Sequence, residues 1–331
     1  MIQAPAFWTR NGWTARVLAP LSCVGAAITA HRMARTGWRA PVPVICCGNA
    51  TVGGAGKTTL ALDLAHRLIA RGITVHVLLR GYGGAARGPR RVQPGDTAAV
   101  TGDEALLLAA VAPTWTGADR AASAQAAVAA GAEVLLMDDG LQNPSLQKTM
   151  SLLVVDGAAG FGNGRVLPAG PLREPVAAAA SRCQAAVLIG PDVSGAGAAL
   201  PPGLPVLRTG LVQDAGIAEI SGRRVLAFAG IAFPDKFFAG LERAGVIVAG
   251  RAAFADHHAF TGAELTGLVR KAREMDAILV TTPKDAVRLP AGPNVHVVGV
   301  RLVWENVATI ESLLDGLHAG DRSGACARTP D

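Results

Sequence analysis

Short apolar runs recur along the chain, separated by stretches whose apolar positions fall at helical spacing. The runs at 42–47, 73–79, 133–138, 151–155, 185–189 and 205–208 read as buried strands. Between several of them, residues 57–71, 103–112, 119–130 and 174–182 read as helices. Strand–helix alternation predicts an α/β fold with a parallel sheet and helices on both faces. The Gly- and Pro-rich stretch 190–204 reads as a surface loop. A second series starts near residue 223: RRVLAFAGIA is strand then turn, DKFFAGLERAG a helix ended by Gly245, and AILVTT and NVHVVGVRLV further strands. A boundary at 210–222 therefore separates a lobe of residues 41–215 from a smaller α/β lobe of residues 216–318. The tail, 319–331, carries no pattern and is expected to be disordered. No repeat of fixed period is present.

The first forty residues stand apart. Residues 17–30, VLAPLSCVGAAITA, form an apolar run shorter than the roughly 20 residues a bilayer span needs. Pro20 suits a first helical turn, and Leu21, Val24 and Ile28 repeat at 3–4 spacing as one apolar stripe. Trp8, Trp13 and Trp38 flank the run, and Arg32, Arg35 and Arg39 follow it. Such borders suit a helix lying in a membrane interface. An ordinary core helix and a secretory signal are the competing readings.

Charge sharpens that choice. The net charge is +6, and no Asp or Glu precedes Asp63, whereas Arg10, Arg16, Arg32, Arg35 and Arg39 all do. A basic first segment points to an acidic surface. Aromatic residues are sparse and no nucleic-acid-reading module is evident, so a membrane surface is favoured over nucleic acid. The cysteines, Cys23, Cys46, Cys47, Cys183 and Cys326, have no spacing suited to zinc or a disulfide framework. They read as buried or incidental thiols of a reducing compartment.

The strongest chemical signal is VPVICCGNATVGGAGKTTLALDLAHRLIARG: an apolar strand, a Gly-rich turn and an amphipathic helix. Backbone N–H groups of such a turn curl around phosphate oxygens, and the helix N-terminus adds positive potential. Residues Thr51, Val52, Gly53, Gly54, Ala55, Gly56, Lys57, Thr58 and Thr59 would hold the nucleotide. Lys57 would reach the β- and γ-phosphates, and the Thr58 hydroxyl would sit on Mg²⁺. The common pattern has Gly where Thr51 stands; Gly53, Gly54 and Gly56 supply the flexibility instead. A cytosolic nucleotide site this close to the apolar run weighs against a secretory signal. GGAGKTT also resembles the loop of partitioning-type ATPases, but Val52 stands where their second lysine would be. No guanine-reading Asn-Lys-x-Asp motif is present; TTPKDA at 281–286 has another order.

AEVLLMDDGLQN is an apolar strand ending in Asp138 and Asp139, a place where P-loop proteins hold Mg²⁺ directly or through water. TGDEALLLAAV puts Asp103 and Glu104 at a helix start, as helix-capping charges or as a catalytic base. FADHHAFT puts His257 and His258 beside Asp256: a poor metal site, and either a polar loop or a histidine that orients a carboxylate.

These segments converge. The chain resembles the tetraacyldisaccharide 4′-kinases of lipid A synthesis through GNATVGGAGKTT, LLRGYGG, TGDEALLLA, VLLMDDGLQN, DGAAGFGNGRVLPAGPLREP, AFAGIAFPDKFF, FADHHAFT and TTPKDAVRL, in family order from residue 48 to 289. GFGNGRVLPAGPLREP is the specific part. The resemblance implies two α/β/α lobes joined by a hinge, with the active site in the cleft. It implies transfer of the ATP γ-phosphoryl group to the 4′-hydroxyl of a tetraacylated glucosamine disaccharide 1-phosphate, at the cytoplasmic face of the inner membrane. It implies Asp103 as catalytic base, His257 as its partner, Lys57 and Thr58 on the phosphates and Mg²⁺, and Asp138 and Asp139 near the metal. Arg80, Tyr82, Glu104, Gln142, Arg173 and Glu174 match motif positions near the site. The expected partners are the acylated disaccharide and anionic lipids, with no obligate protein partner. Three positions depart from the pattern: Thr59 where Pro is common, Asn143 where His is common, and Pro283 where Glu is common. The rival expectation is a regulatory or partitioning-type P-loop ATPase acting on a protein.

Overall fold

The structure, a computed structural model, describes residues 5–85, 88–290, 292 and 294–322. In chain order its elements are α1 (Trp13–Met33), β1 (Val44–Gly48), α2 (Lys57–Ala70), β2 (Val75–Leu79), β3 (Arg90–Arg91), α3 (Ala98–Thr101), α4 (Asp103–Ala109), β4 (Thr114–Thr116), α5 (Arg120–Ala129), β5 (Val134–Asp138), β6 (Met150–Asp156), α6 (Val176–Ala180) and β7 (Ala185–Ile189). There follow β8 (Val206–Gln213), β9 (Arg224–Ala229), α7 (Pro234–Arg243), β10 (Ile247–Ala253), α8 (Gly262–Glu274), β11 (Ile278–Thr281), α9 (Pro283–Ala286), β12 (His296–Val297), β13 (Val300–Trp304) and α10 (Val307–Arg322). They form two compact units, each discontinuous in sequence. The larger holds the chain up to Leu78, Asp119–Gly210 and the chain from Val303; the smaller holds Leu79–Ala118 and Leu211–Leu302.

In the larger unit the strands run in the order β8-β7-β6-β1-β5-β2, all parallel. β1, β2, β5 and β7 are buried at every position, which is why they read as continuous apolar runs rather than as alternations. α2 buries Leu60, Ala61, Leu64, Ala65 and Leu68, a stripe at helical spacing that packs it onto the sheet. Cys46, Cys47 and Cys183 are buried and Cys23 is exposed. Burial pushes the Cys46 thiol up to about 11 and Cys183 up to about 12, so both stay neutral at ordinary pH.

α1 is longer than its apolar run. Thr14, Arg16, Thr29 and His31 interrupt the hydropathy but not the helix, and its 21 residues are long enough to cross a bilayer by length and composition. The expectation of a segment too short to span is corrected on length. Only Ala15 and Ser22 of α1 are buried. The Ser22 hydroxyl donates to Val166 O (2.6 Å) and accepts from Ala169 N (3.2 Å), which fixes one face of α1 on the 163–170 loop. Trp13, Val17, Leu21, Val24 and Ile28 are 58–77% exposed along another face.

In the smaller unit a parallel sheet runs β10-β9-β11-β12. Alternation along β9 sends Val225, Ala227 and Ala229 into a cluster with Phe237, Phe238 and Leu241 of α7. Leu226 and Phe228 go into a second cluster with Leu265, Leu268 and Ala272 of α8. Thr261 caps α8 through a capping box with Glu264. Residues 79–118 add the antiparallel pair β3–β4 together with α3 and α4, none of the three short elements β3, β4 and α3 being evident from the pattern. The expectation of an unpatterned tail from 319 is also corrected, since α10 runs to Arg322; residues 323–331 of that expectation lie outside the described residues.

Candidate active site

In the larger unit the turn between β1 and α2 carries the phosphate-loop residues. Gly56 has φ of +88°, a conformation an L side chain rarely adopts, and it lets Lys57 begin α2 at once. The loop is pinned to the segment before α6: Val52 N donates to Pro171 O (2.8 Å) and Arg173 N to Ala50 O (2.7 Å). The GPLREP run thus lies against the phosphate loop, far apart as the two are in sequence. Lys57 Nζ donates to Asn49 Oδ1 at 3.2 Å and lies 3.7 Å from Asp139. The Thr58 hydroxyl donates to Asp138 Oδ2 at 2.8 Å.

The β1–β5 register explains that contact. Cys47 is level with Asp138 in adjacent parallel strands, so the carboxylates emerge beside the turn that follows β1. Asp138 is buried. Asp139, at φ of +57°, receives both terminal nitrogens of Arg173, each at 3.1 Å. Gln142 Nε2 donates to Asn49 O (2.9 Å) and to Glu174 Oε1 (2.8 Å). Buried Glu174 also accepts from Arg182 at 2.6 and 2.8 Å. Asn143, by contrast, turns its side chain to Ser145 N and Oγ and serves its own turn. One connected set of polar contacts therefore unites Asn49, Thr51, Lys57, Asp139, Gln142, Arg173 and Glu174, and Thr58 with Asp138 forms a pair adjoining it in the chain. Thr58 and Asp138 offer oxygen donors of the kind Mg²⁺ takes, leaving further positions for phosphate and water.

In the smaller unit His257 Nδ1 lies 2.7 Å from Asp103 Oδ2. Asp103 is 4% exposed, at the first position of α4, and its Oδ1 accepts from Glu104 N at 2.9 Å. Gly102, with φ of +85°, makes the bend before it; a Cβ there would sit 2.5 Å from Tyr82 O. His257 holds φ of +59°, an unusual conformation for a non-glycine residue, and its N–H donates to Gly230 O. Burial pushes the Asp103 carboxyl up, but the His257 hydrogen bond and the charges of Lys284, His257 and Arg288 outweigh it and hold the group below the usual carboxylate range. His258 faces Glu264 (3.1 Å) and the rings of Phe254 and Phe260, a packing role. The Tyr82 ring is 6.4 Å from that of His257, and Glu104 lies 3.7 Å from Lys284 Nζ. Arg80 is exposed, with no hydrogen bond or ion pair among the described residues.

Sequence reasoning missed Asn49, Arg182, Lys284, Asp285 and Arg288. Asn49 and the last three lay inside motif segments already singled out, yet nothing in their spacing tells a phosphate-side or carboxylate-side role from a turn residue.

The sequence model of one family, described as tetraacyldisaccharide-1-P 4′-kinase, matches residues 14–318. Relatives named tetraacyldisaccharide 4′-kinase include one from Gluconacetobacter diazotrophicus, 57% identical over 95% of this chain and 98% of its own length. Another, from Rhodospirillum centenum, is 52% identical over 96% and 98%. A crystal structure of LpxK from Aquifex aeolicus in complex with ATP superposes with a TM-score of 0.75 at 25% identity, covering 92% of this chain and 99% of that one.

Proposed function

The chain belongs to the tetraacyldisaccharide-1-P 4′-kinase family, and from that premise we propose how its own residues carry out the reaction. Its activity is ATP-dependent phosphorylation of the 4′-hydroxyl of the tetraacyldisaccharide 1-phosphate precursor of lipid A. A partitioning-type ATPase is not favoured.

Phosphoryl transfer asks for alignment and for neutralisation of charge on the transferred group. The loop from Thr51 to Thr59 binds the ATP phosphates, with Lys57 supplying a cation beside them. Mg²⁺, held by Thr58 and Asp138, would neutralise phosphate charge when bound. Asp139 and Asn49 hold Lys57 in place, and Arg173 in turn fixes Asp139. Asp103 accepts the proton of the sugar hydroxyl as that oxygen attacks phosphorus, and His257 orients the carboxylate and shares the proton. The observation that carries the acceptor half of this reading is the 2.7 Å contact between a buried carboxylate and a histidine in a strained backbone conformation. Arg80, Tyr82, Glu104, Gln142 and Glu174 are proposed as substrate-side or supporting groups.

The acyl chains of the substrate require a membrane. We infer that α1 lies at the cytoplasmic face of the inner membrane with Trp13, Val17, Leu21, Val24 and Ile28 in the acyl region. Support comes from that exposed stripe, from the basic residues around it, and from the Ser22 face fastened to the protein, which favours lying over crossing.

The test is transfer of labelled γ-phosphate from ATP to purified disaccharide 1-phosphate in mixed micelles. Wild-type protein with Mg²⁺ is expected to label the 4′-position, and chelation or Asp103→Ala to suppress it. Labelling that survives Asp103→Ala at the wild-type rate removes the proposed base.

A further inference from the structure

We propose that Arg288 and Lys284 are positioning residues that fix the charge and the geometry of the Asp103–His257 pair. The inference rests on the reading of Asp103 as proton acceptor and adds what makes it competent.

Arg288 sits in the turn after α9 with only 5% of its side chain exposed. Its guanidinium is bonded on every side. It donates to Asp285 Oδ1 (2.6 Å), to Gly230 O (2.9 Å), to His258 O (3.2 Å) and to Lys284 O (3.0 Å). Its Nε also lies 3.7 Å from Asp103 Oδ2. Two of these bonds go to carbonyls that bear on His257: that of Gly230, which also receives the His257 N–H, and that of His258, the next residue in the chain. One side chain therefore addresses both members of the pair, the carboxylate by charge and the histidine through its loop.

Arg288 is itself anchored. Asp285 is fully buried, accepts from Gly230 N (2.9 Å) and from the Thr282 hydroxyl (2.6 Å), and presents Oδ1 to Arg288. A side chain at Gly230 would be tight, since a Cβ would meet Asp285 Oδ1 at 3.1 Å and Ala255 O at 3.0 Å and these neighbours would have to give by a few tenths of an ångström. Lys284 adds a second cation, 3.9 Å from Asp103 Oδ2 and 3.7 Å from Glu104, and remains 25% exposed. A buried carboxylate that must be ionised in order to accept a proton needs such compensation, because burial alone favours the neutral acid.

The titratable and charged groups facing Asp103 are Glu104 on its own helix, His257 with Asp256 behind it (3.8 Å), and Lys284, Asp285 and Arg288 from α9 and the turn that follows. Among the two cations, Lys284 is the one whose removal leaves the buried network of bonds in place.

The experiment is the single-turnover phosphoryl-transfer rate across roughly pH 3 to 8, with the KM for ATP, on Lys284→Met, Lys284→Arg, Arg288→Met, Arg288→Lys and Asp103→Asn. Lys284→Met is expected to move the acidic limb up by about one pH unit, since loss of a neighbouring cation makes the carboxylate easier to protonate. Lys284→Arg is expected to restore the limb, and the KM for ATP to stay within about twofold of wild type in both. Arg288→Met is expected to lower the rate at least about tenfold through misplacement of the pair, with partial recovery in Arg288→Lys. An unmoved limb in Lys284→Met with a wild-type rate overturns the inference, as does an Arg288→Met protein that loses only thermal stability. If Arg288→Met does not fold, the Lys284 pair decides alone. Asp103→Asn separates the two levels. A wild-type rate in that variant overturns the base reading itself, whereas a collapsed rate with an unmoved Lys284→Met limb overturns only this inference.

Discussion

Lys57 stands at the first position of α2, with its ammonium between Asn49 and Asp139, where it stabilises no core. Lys57→Ala is therefore expected to cut turnover by about 100-fold or more with little change in melting temperature. A folded variant of near-normal rate contradicts the nucleotide assignment. On the proposed reading Asp103 and His257 act as a unit, so each single alanine variant should lose roughly 10²–10⁴-fold in single-turnover rate, and the double variant little more than the worse single. A helix-capping role alone would instead cost about 1 kcal/mol of stability and leave the rate unchanged. The same carboxylate has a pH signature in stability. Its folded value is depressed, so its contribution is present above the unfolded value of about 3.9 and is lost as pH falls through the folded one. The stability gap between wild type and Asp103→Asn should therefore narrow between about pH 5 and pH 3, and a gap that widens on acidification refutes the direction. At this scale the sequence announces residue types at turns but not their partners. Asp103 and His257 are 154 positions apart, and only the fold makes them 2.7 Å neighbours. Arg288 is invisible for the same reason: its meaning lies in two backbone carbonyls and an aspartate that no spacing reveals.

Elements were legible where burial is uniform or periodic. β1, β5 and β7 are buried at every position and α2 carries a regular stripe, so period and length suffice. β3 has two residues and makes no pattern of its own; it exists because a neighbouring strand offers hydrogen bonds, whereas the equally short β12 lies within the NVHVVGVRLV run that reads as strand. Pro283, a departure from the family pattern, proves locally apt. It occupies the first position of α9 behind the Thr282 cap, where a missing N–H costs nothing. α1 carries the prediction at this scale. Its exposed stripe and its Ser22 face are separate, so the stripe can be altered without unfastening the helix. Leu21→Glu with Val24→Glu should weaken binding to anionic vesicles by about tenfold or more, given that burying one such side chain is worth roughly 1.5–3 kcal/mol. High salt should weaken binding of the wild type as well, at about 1 kcal/mol per basic residue near the surface. Vesicle affinity indifferent to both changes would remove α1 from the membrane.

The two compact units interleave in sequence, and this division was not legible. Strand–helix alternation continues through Leu79–Ala118 without a break in composition, yet that segment belongs with Leu211–Leu302, while Val303 onward belongs with the phosphate-loop unit. Alternation reports local structure, and membership of a unit depends on which long-range packing forms. The division separates the proposed roles: the phosphate loop is in one unit and the Asp103–His257 pair in the other. Nucleotide binding and proton acceptance should therefore be separable by substitution. A ligand that binds the folded state at about 100 times its Kd stabilises that state by about 2.7 kcal/mol. In native-state hydrogen exchange, ATP with Mg²⁺ should thus slow exchange in the turn between β1 and α2 and in the first turns of α2. Lys57→Ala should abolish that protection, because on the proposed reading the lysine and the loop address the phosphates directly. Asp103→Ala and His257→Ala should keep it while losing transfer, because on the proposed reading they act on the sugar hydroxyl and not on the nucleotide. Loss of nucleotide protection in Asp103→Ala would mean that the carboxylate serves ATP binding rather than the hydroxyl acceptor. Protection that persists in Lys57→Ala would mean that the backbone cradle suffices for the nucleotide and that the lysine acts on the transition state alone.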